Sequence, residues 1–254
     1  MDIWGAILNW IFTVLDWLHG ISGDWGMAII LITILFRILI FPITAKQIKS
    51  ALVMQQLQPK IKEIQTKYAN DKMLQQQKMM EVYKDAKFNP LSGCLPLILQ
   101  MPLFFALFSV LNNLPSYIID PAAMPVHFYG LVPNLQASAG STFAESPLGA
   151  IPYLVLVLIF GASMLLPLLI NGTKDRNTWM MTGVMGVLML WFGWSAPAGV
   201  LLYWDTSSLI GVAQQMVTKK LMDRKMEAAG EGGAVEIKPV KVEVERMRKK
   251  NPPS

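Results

Sequence analysis

The stretch WGMAIILITILFRILIFPIT, residues 25–44, is long and apolar enough to cross a lipid bilayer. A membrane-spanning helix needs about 20 mostly apolar residues, and this stretch contains a single full charge, Arg37. An arginine at the bilayer centre costs roughly 2.5–3.5 kcal/mol on insertion scales, so such a residue is expected only where it faces protein or water. We therefore take Arg37 as the centre of the candidate functional site.

Composition favours a membrane protein. The 254 residues are 53% hydrophobic and 15% charged, whereas soluble domains are about 25% charged. The single cysteine, Cys94, cannot form an internal disulfide, and the two histidines, His19 and His127, stand apart from any Cys/His cluster. The sequence shows no nucleophile–base pair, paired carboxylates or phosphate-binding loop. We therefore predict neither an enzyme nor a bound cofactor or metal.

Apolar stretches divide the chain into predicted spans. Five transmembrane helices are predicted, at residues 25–44, 91–111, 150–170, 179–194 and 197–217. Residues 1–24 are predicted to form an external interfacial helix, because Asn9, Thr13 and Asp16 share one face of an otherwise apolar, tryptophan-containing segment. No basic segment precedes it, which disfavours a signal peptide, while a sixth span stays open. Residues 112–149 are predicted to be an external loop, and residues 218–254 a basic cytoplasmic tail.

Residues 45–90 differ in character from the spans. They contain nine lysines, and their apolar residues recur at helical spacing on either side of Asn70 and Asp71. This pattern predicts two antiparallel amphipathic helices, a cytoplasmic helical hairpin. Its methionines, including Met73, Met79 and Met80, fit either packing between the two helices or an adaptable surface for varied apolar segments.

The basic residues predict the orientation of the chain. Of 22 lysines and arginines, nine lie in the hairpin, two in residues 171–178, ten in the tail and one is Arg37. The predicted external segments have none, so the positive-inside rule places the N-terminus outside and the C-terminus in the cytoplasm. The basic segments suit anionic lipid headgroups or the RNA of a ribosome, and both alternatives stay open for the tail.

Several polar residues are predicted at membrane depth. Arg37 lies about 18 Å along its helix from Trp25, and Asp205 about 12 Å along its helix from Pro197. Thr33 is one turn from Arg37 on the same face, and Gln100 is midway along the second span. Three hypotheses follow: a structural Arg37–Asp205 ion pair, an ion or solute pathway, or a wet, positively charged groove that receives part of another polypeptide.

A family resemblance favours the groove. The run LQPKIKEIQTKYANDKMLQQQKMMEVYKDAKFNPLSGCLPLILQMPLFFALF (57–108), with FRILIFPIT (36–44), APAGVLLYW (196–204) and GVAQQ (211–215), resembles the YidC-type membrane protein insertases of bacteria, which have mitochondrial and chloroplast relatives. The resemblance covers residues 25–220. It implies an all-α membrane protein whose five transmembrane helices form a bundle around a hydrophilic groove that is closed to the outside. It places Arg37, Gln100, Tyr203 and Trp204 in that groove. Asp205 departs from the family's pattern and would partly neutralise the groove if it paired with Arg37.

The resemblance implies an insertase that works without nucleotide hydrolysis in the bacterial cytoplasmic membrane. Expected partners are nascent membrane proteins, the translating ribosome through the hairpin and basic tail, a Sec-type translocation channel with signal recognition components, and anionic lipids. Two alternatives are a small secondary transporter, for which the sequence shows no inverted repeat, and an assembly factor that holds other spans without inserting them.

Overall fold

The computed structural model describes residues 3–86, 95–118, 126–171 and 176–229. Across these residues the protein is all-α, apart from isolated bridges that join Phe128 to Val132 and Ser138 to Pro197. The described helices are α1 (Ile3–Ser22), α2 (Trp25–Lys67), α3 (Lys72–Asp85), α4 (Leu95–Asn112), α5 (Leu114–Tyr117), α6 (Ala139–Glu145), α7 (Ile151–Asn171), α8 (Arg176–Ser195) and α9 (Ala198–Ala229). Parts of four predicted segments lie outside the described residues: 87–90 of the hairpin, 91–94 of the second span, 119–125 of the external loop and 172–175 of the turn after the third span. The tail beyond residue 229 also lies outside them.

Helix α2 contains both the first predicted span and the start of the predicted hairpin. It runs without interruption from Trp25 to Lys67, so no break in secondary structure marks the predicted boundary between residues 44 and 45. Pro42 lies within it, and the Thr44 hydroxyl donates to the carbonyl oxygens of Ile40 and Phe41 at 3.3 and 3.0 Å. Transmembrane helices tolerate proline where side-chain hydroxyls and neighbouring helices satisfy the freed backbone groups.

The chain divides into two compact units, and the first comprises Met1–Ile48 and Cys94–Lys220. Its core contains buried side chains from α1, α2, α4, α7 and α9, among them Leu15, Ile29, Leu107, Phe160 and Leu201. Helix α1 packs against α4, and α7 packs against α8. On α1, the three polar residues that share a face are exposed: Asn9, Thr13 and Asp16.

A buried carboxylate ties the start of α2 to the segment that follows residue 125. Asp24 is buried, and its carboxylate accepts hydrogen bonds from the backbone N–H groups of Met27 at 2.8 Å and Tyr129 at 2.7 Å. Gly26 is needed beside this contact, because a Cβ there would lie 2.4 Å from the Phe128 ring. Tyr129 has a φ of 41°, a conformation that is uncommon outside glycine. The Asp24 contacts therefore anchor the start of α2, and Arg37 lies about three turns further along this helix.

The second unit comprises Lys49–Gly93 and Leu221–Ser254. Buried Leu57, Ile61 and Ile64 of α2 meet Val82 of α3, and the Asp71 side chain caps α3 by accepting from the Leu74 N–H at 3.0 Å. The hairpin methionines do not all have the same surroundings. Met79 packs against this cluster, as the packing interpretation predicts, whereas Met73 and Met80 are exposed, as an adaptable surface would require.

Among the described residues, α2 is the helix that is long and apolar enough to cross a membrane by length and composition. Shorter apolar helical stretches are Gln100–Asn112, Ile151–Ser163 and Trp179–Ser195. The arrangement of five spans therefore stays a prediction, and so does the interfacial position of α1.

Candidate functional site

Arg37 contacts α9. Its side chain is half-buried, and its Nε and Nη2 atoms donate to the Ser207 Oγ atom at 2.8 and 2.5 Å. The guanidinium also lies against Gly211, whose Cβ, if it had one, would sit 3.7 Å from the nearest guanidinium nitrogen. A Cβ at Gly211 would thus make an ordinary van der Waals contact with the planar group.

Helices α2 and α9 run parallel through this contact. The Ile29 side chain lies 3.4 Å from the Cβ position of Gly199. Eight residues further along both helices, Arg37 contacts Ser207. The register therefore holds over about two turns, between these two contacts.

Gln100 completes the group from α4. Its amide nitrogen donates to the Tyr203 hydroxyl and, at 3.2 Å, to Ser207 Oγ. Tyr203, Ser207 and Gly211 follow one another at four-residue intervals, so they lie on one face of α9. The structure thus brings together three of the residues predicted for the site, Arg37, Gln100 and Tyr203.

The other three predicted site residues lie apart from this group. Thr33 is buried, and its hydroxyl donates to the Ile29 carbonyl oxygen of its own helix at 2.6 Å. Trp204 packs edge-to-face between Phe104 of α4 and Phe160 of α7, with ring centroids 5.6 and 5.3 Å away. Both side chains therefore contribute packing in this structure.

Asp205 does not pair with Arg37. The carboxyl group is buried, with 4% of the residue exposed, and neither oxygen has a hydrogen-bond partner among the described residues. Helical geometry gives the reason. Residues two apart point to nearly opposite sides of a helix, so a helix that presents Ser207 to Arg37 turns Asp205 away. The ion-pair hypothesis accordingly finds no support in the geometry.

Ser207 is the site residue that the sequence prediction omitted. Its signal was present, because it stands four residues after Tyr203 and four before Gly211. Only the contact between α2 and α9 shows that Arg37 meets the α9 face with Tyr203, Ser207 and Gly211, and not the face with Asp205.

The group is rich in donors and has no negative charge. An arginine carries five N–H donors and no acceptor, and Ser207 is the acceptor that its guanidinium contacts within the described ranges. The described part of the chain also contains no cluster of His, Cys, Asp or Glu that could hold a metal ion. Chemically, the arrangement can receive carboxylate or carbonyl oxygens, and it has no nucleophile–base pair.

Comparison with known proteins shows the family. The model of the family described as "60Kd inner membrane protein" matches residues 17–225. The chain belongs to this family. It is 34% identical to the membrane protein insertase YidC of Aromatoleum aromaticum over 86% of this chain and 37% of that protein. It is also 37% identical to YidC of Fusobacterium nucleatum, over 78% of this chain and 87% of that protein.

A solved structure agrees with this YidC assignment. The crystal structure described as an active YidC insertase with the first transmembrane domain resolved matches with a TM-score of 0.65 and 27% identity. The match covers 84% of this chain and 46% of that chain. The resemblance noted from residues 57–108 is thus confirmed at the level of family and all-helical fold. The chain spans about a third of the YidC proteins of Aromatoleum aromaticum and Brucella suis.

Proposed function

We propose that this chain is a membrane protein insertase that receives a nascent apolar segment, holds the polar flank of that segment near Arg37, and releases it sideways into the bilayer without nucleotide hydrolysis. The observation that carries the proposal is the half-buried Arg37 guanidinium, which contacts the neutral Ser207 and forms no ion pair within the described ranges. An unneutralised cation with spare donors suits acidic or carbonyl groups of an incoming chain. An internal carboxylate partner would have used those donors.

The proposed insertion requires no covalent bond to be made or broken, because three non-covalent contributions favour it. A carboxylate about 4 Å from Arg37 gains roughly 4 kcal/mol at an effective dielectric constant of 20, which offsets part of the cost of leaving water. Moving one acidic charge outward across 100 mV adds about 2.3 kcal/mol. Burial of the apolar segment then supplies about 25 cal/mol per Å².

The hairpin would make the first contact. Met73 is 78% exposed and Met80 is 48% exposed, and methionine side chains adapt readily to differently shaped apolar partners. We further propose that the hairpin and basic tail engage the translating ribosome, that anionic lipids bind the basic segments, and that a Sec-type channel and signal recognition components assist some clients. In this proposal the Trp25 end of α2 lies outside and the C-terminus lies in the cytoplasm.

Reconstitution tests the proposal. The purified protein in liposomes, given a single-span client with a short acidic N-terminal flank, should insert that client. Arg37→Ala should slow insertion at least about tenfold, since about 1.4 kcal/mol of lost stabilisation is enough for that change, and Arg37→Lys should retain much of the rate. Arg176→Ala is the charge-matched control, because Arg176 is exposed at the start of α8. Equal rates for Arg37→Ala and Arg176→Ala would contradict the proposal, and solute uptake without insertion would indicate a transporter.

A further inference from the structure

Two glutamines further along the same pair of helices have amide atoms without partners. Gln47 of α2 is 8% exposed, and neither its amide nitrogen nor its amide oxygen has a hydrogen-bond partner in the described part of the chain. The amide oxygen of Gln214, on α9, is likewise buried and unpaired. Native proteins pair nearly all buried polar groups, so these two residues, the amide pair, require an explanation.

Continuing the parallel register of α2 and α9 beyond Arg37 and Ser207 sets the amide pair on facing sides of these helices. Thr44 lies seven residues beyond Arg37, and Gln214 lies seven residues beyond Ser207, so the parallel register sets Thr44 opposite Gln214. Gln47 is three residues beyond Thr44 and shares its face. It also lies five turns from Ile29, the residue that contacts Gly199 of α9. We infer from this extension that the polar face that begins at Arg37 and Ser207 continues to the amide pair.

The chemistry of the pair matches a peptide backbone. A side-chain amide offers both N–H donors and a carbonyl acceptor, which complement the C=O and N–H groups of an extended chain. A buried polar group left unpaired costs about 1–3 kcal/mol. An apolar side chain of similar length would avoid that cost, so keeping two amides here is explained if a transient partner satisfies them.

The distances along the two helices determine how many residues of the partner chain would separate the Arg37–Ser207 contact from the amide pair. Gln214 lies about 10 Å along α9 from Ser207, and Gln47 lies about 15 Å along α2 from Arg37. An extended chain spans about 3.3–3.6 Å per residue, so roughly three to five residues separate the two positions.

We propose that Gln47 and Gln214 form a second docking point, which binds peptide groups of the client's polar flank three to five residues away from the part held at Arg37. This inference rests on the proposed function and deepens it. The flank would be held at both points only if it is long enough to bridge them, so the contribution of the amide pair would depend on flank length.

Methionine substitutions test the proposal, since they keep the length of the side chain and remove the amide. Gln47→Met and Gln214→Met should each slow insertion several-fold for a client with an eight-residue polar flank. They should have no effect on a client with a two-residue flank. Their thermal unfolding midpoints should equal or exceed that of the unaltered protein, because each substitution removes at least one buried, unpaired amide atom. Thr13→Val is the control: Thr13 lies on α1, outside both proposed docking points, and its hydroxyl bonds to its own helix, so insertion should not change.

Crosslinking maps the same geometry. In a Cys94→Ser background, Ser207→Cys and Gln214→Cys should link to client cysteines about three positions apart. Unchanged insertion in both methionine variants, equal loss for both flank lengths, or loss accompanied by a lower unfolding midpoint would each overturn the docking point. If Arg37→Ala still abolishes insertion in that case, the proposed function stands and this inference alone fails. If the unaltered protein inserts no client, both fail.

Discussion

The contacts of Arg37 and Asp205 depend on which face of α9 each α9 residue occupies. Arg37 reaches the α9 face that carries Ser207, and the carboxyl group of Asp205 two residues earlier has no hydrogen-bond partner among the described residues. An acid on the Ser207 face would have neutralised the arginine. The separation therefore leaves the guanidinium without an ionised partner among the described residues, while the Asp205 carboxyl is buried where ionisation is costly.

This placement predicts the effect of Asp205→Asn on stability. The amide keeps the shape of the side chain and cannot ionise, and no hydrogen bond among the described residues is lost. We expect a thermal unfolding midpoint in detergent that equals or exceeds that of the unaltered protein. Asp16→Asn, at an exposed position on α1, controls for a change in net charge. A clear fall in the midpoint for Asp205→Asn alone would mean that Asp205 bridges helices as an ionised group.

At the scale of elements, α7 and α8 pack closely because glycines remove side chains at their contact. A Cβ at Gly161 of α7 would lie 2.5 Å from the Leu190 side chain of α8, and one at Gly193 would lie 3.2 Å from Phe160. Small residues let membrane helices approach closely, where packing rather than water exclusion drives association. The contact between α7 and α8 thus depends on the packing of the Leu190 side chain against Gly161.

Gly161→Val should therefore destabilise the protein by about 1–3 kcal/mol, the usual cost of overpacking. Adding Leu190→Ala should recover part of that loss, because residues in contact are not additive. Thermal unfolding of the two single variants and the double variant measures this coupling. Gly183→Val, at a glycine of α8 with no atom within 4 Å of its Cβ position, is the control. Additive losses at Gly161 and Leu190 would contradict the predicted contact.

At the scale of the whole molecule, the distribution of charge predicts its direction in the membrane. Apart from Arg37, the lysines and arginines lie in residues 45–90, 171–178 and 218–254, whereas residues 1–24 and 112–149 contain none. Because cytoplasmic segments retain basic residues, the hairpin should face the cytoplasm and the segment that contains α6 should face outward.

Labelling with a membrane-impermeant maleimide measures this orientation. Cys94 is the single cysteine, so a Cys94→Ser background gives one thiol for each added cysteine. We expect Glu145→Cys to react in intact spheroplasts, and Lys72→Cys to react only after lysis. Both positions are exposed in the structure, so access rather than burial decides the result. The reverse pattern would mean that the chain is inserted the other way round.

Local chemistry let the sequence predict a substantial part of this protein. Runs of apolar residues predict helices wherever they occur, since a backbone in lipid must satisfy its own hydrogen bonds. The turn predicted at Asn70 and Asp71 coincides with the end of α2 and the capped start of α3, because an aspartate cap acts over only three residues. The motifs of residues 57–108 indicated the family. Position within the predicted spans and the family resemblance together singled out Arg37 and Gln100, and the resemblance added Tyr203.

Only the tertiary structure decided what those residues contact. Arg37 and Ser207 are 170 positions apart in sequence, and their contact depends on the rotation of α9 and its register against α2. The same rotation turns Asp205 away and seats Trp204 between Phe104 and Phe160. Sequence periodicity assigns residues to a face, but the packing of distant helices determines which face meets which partner.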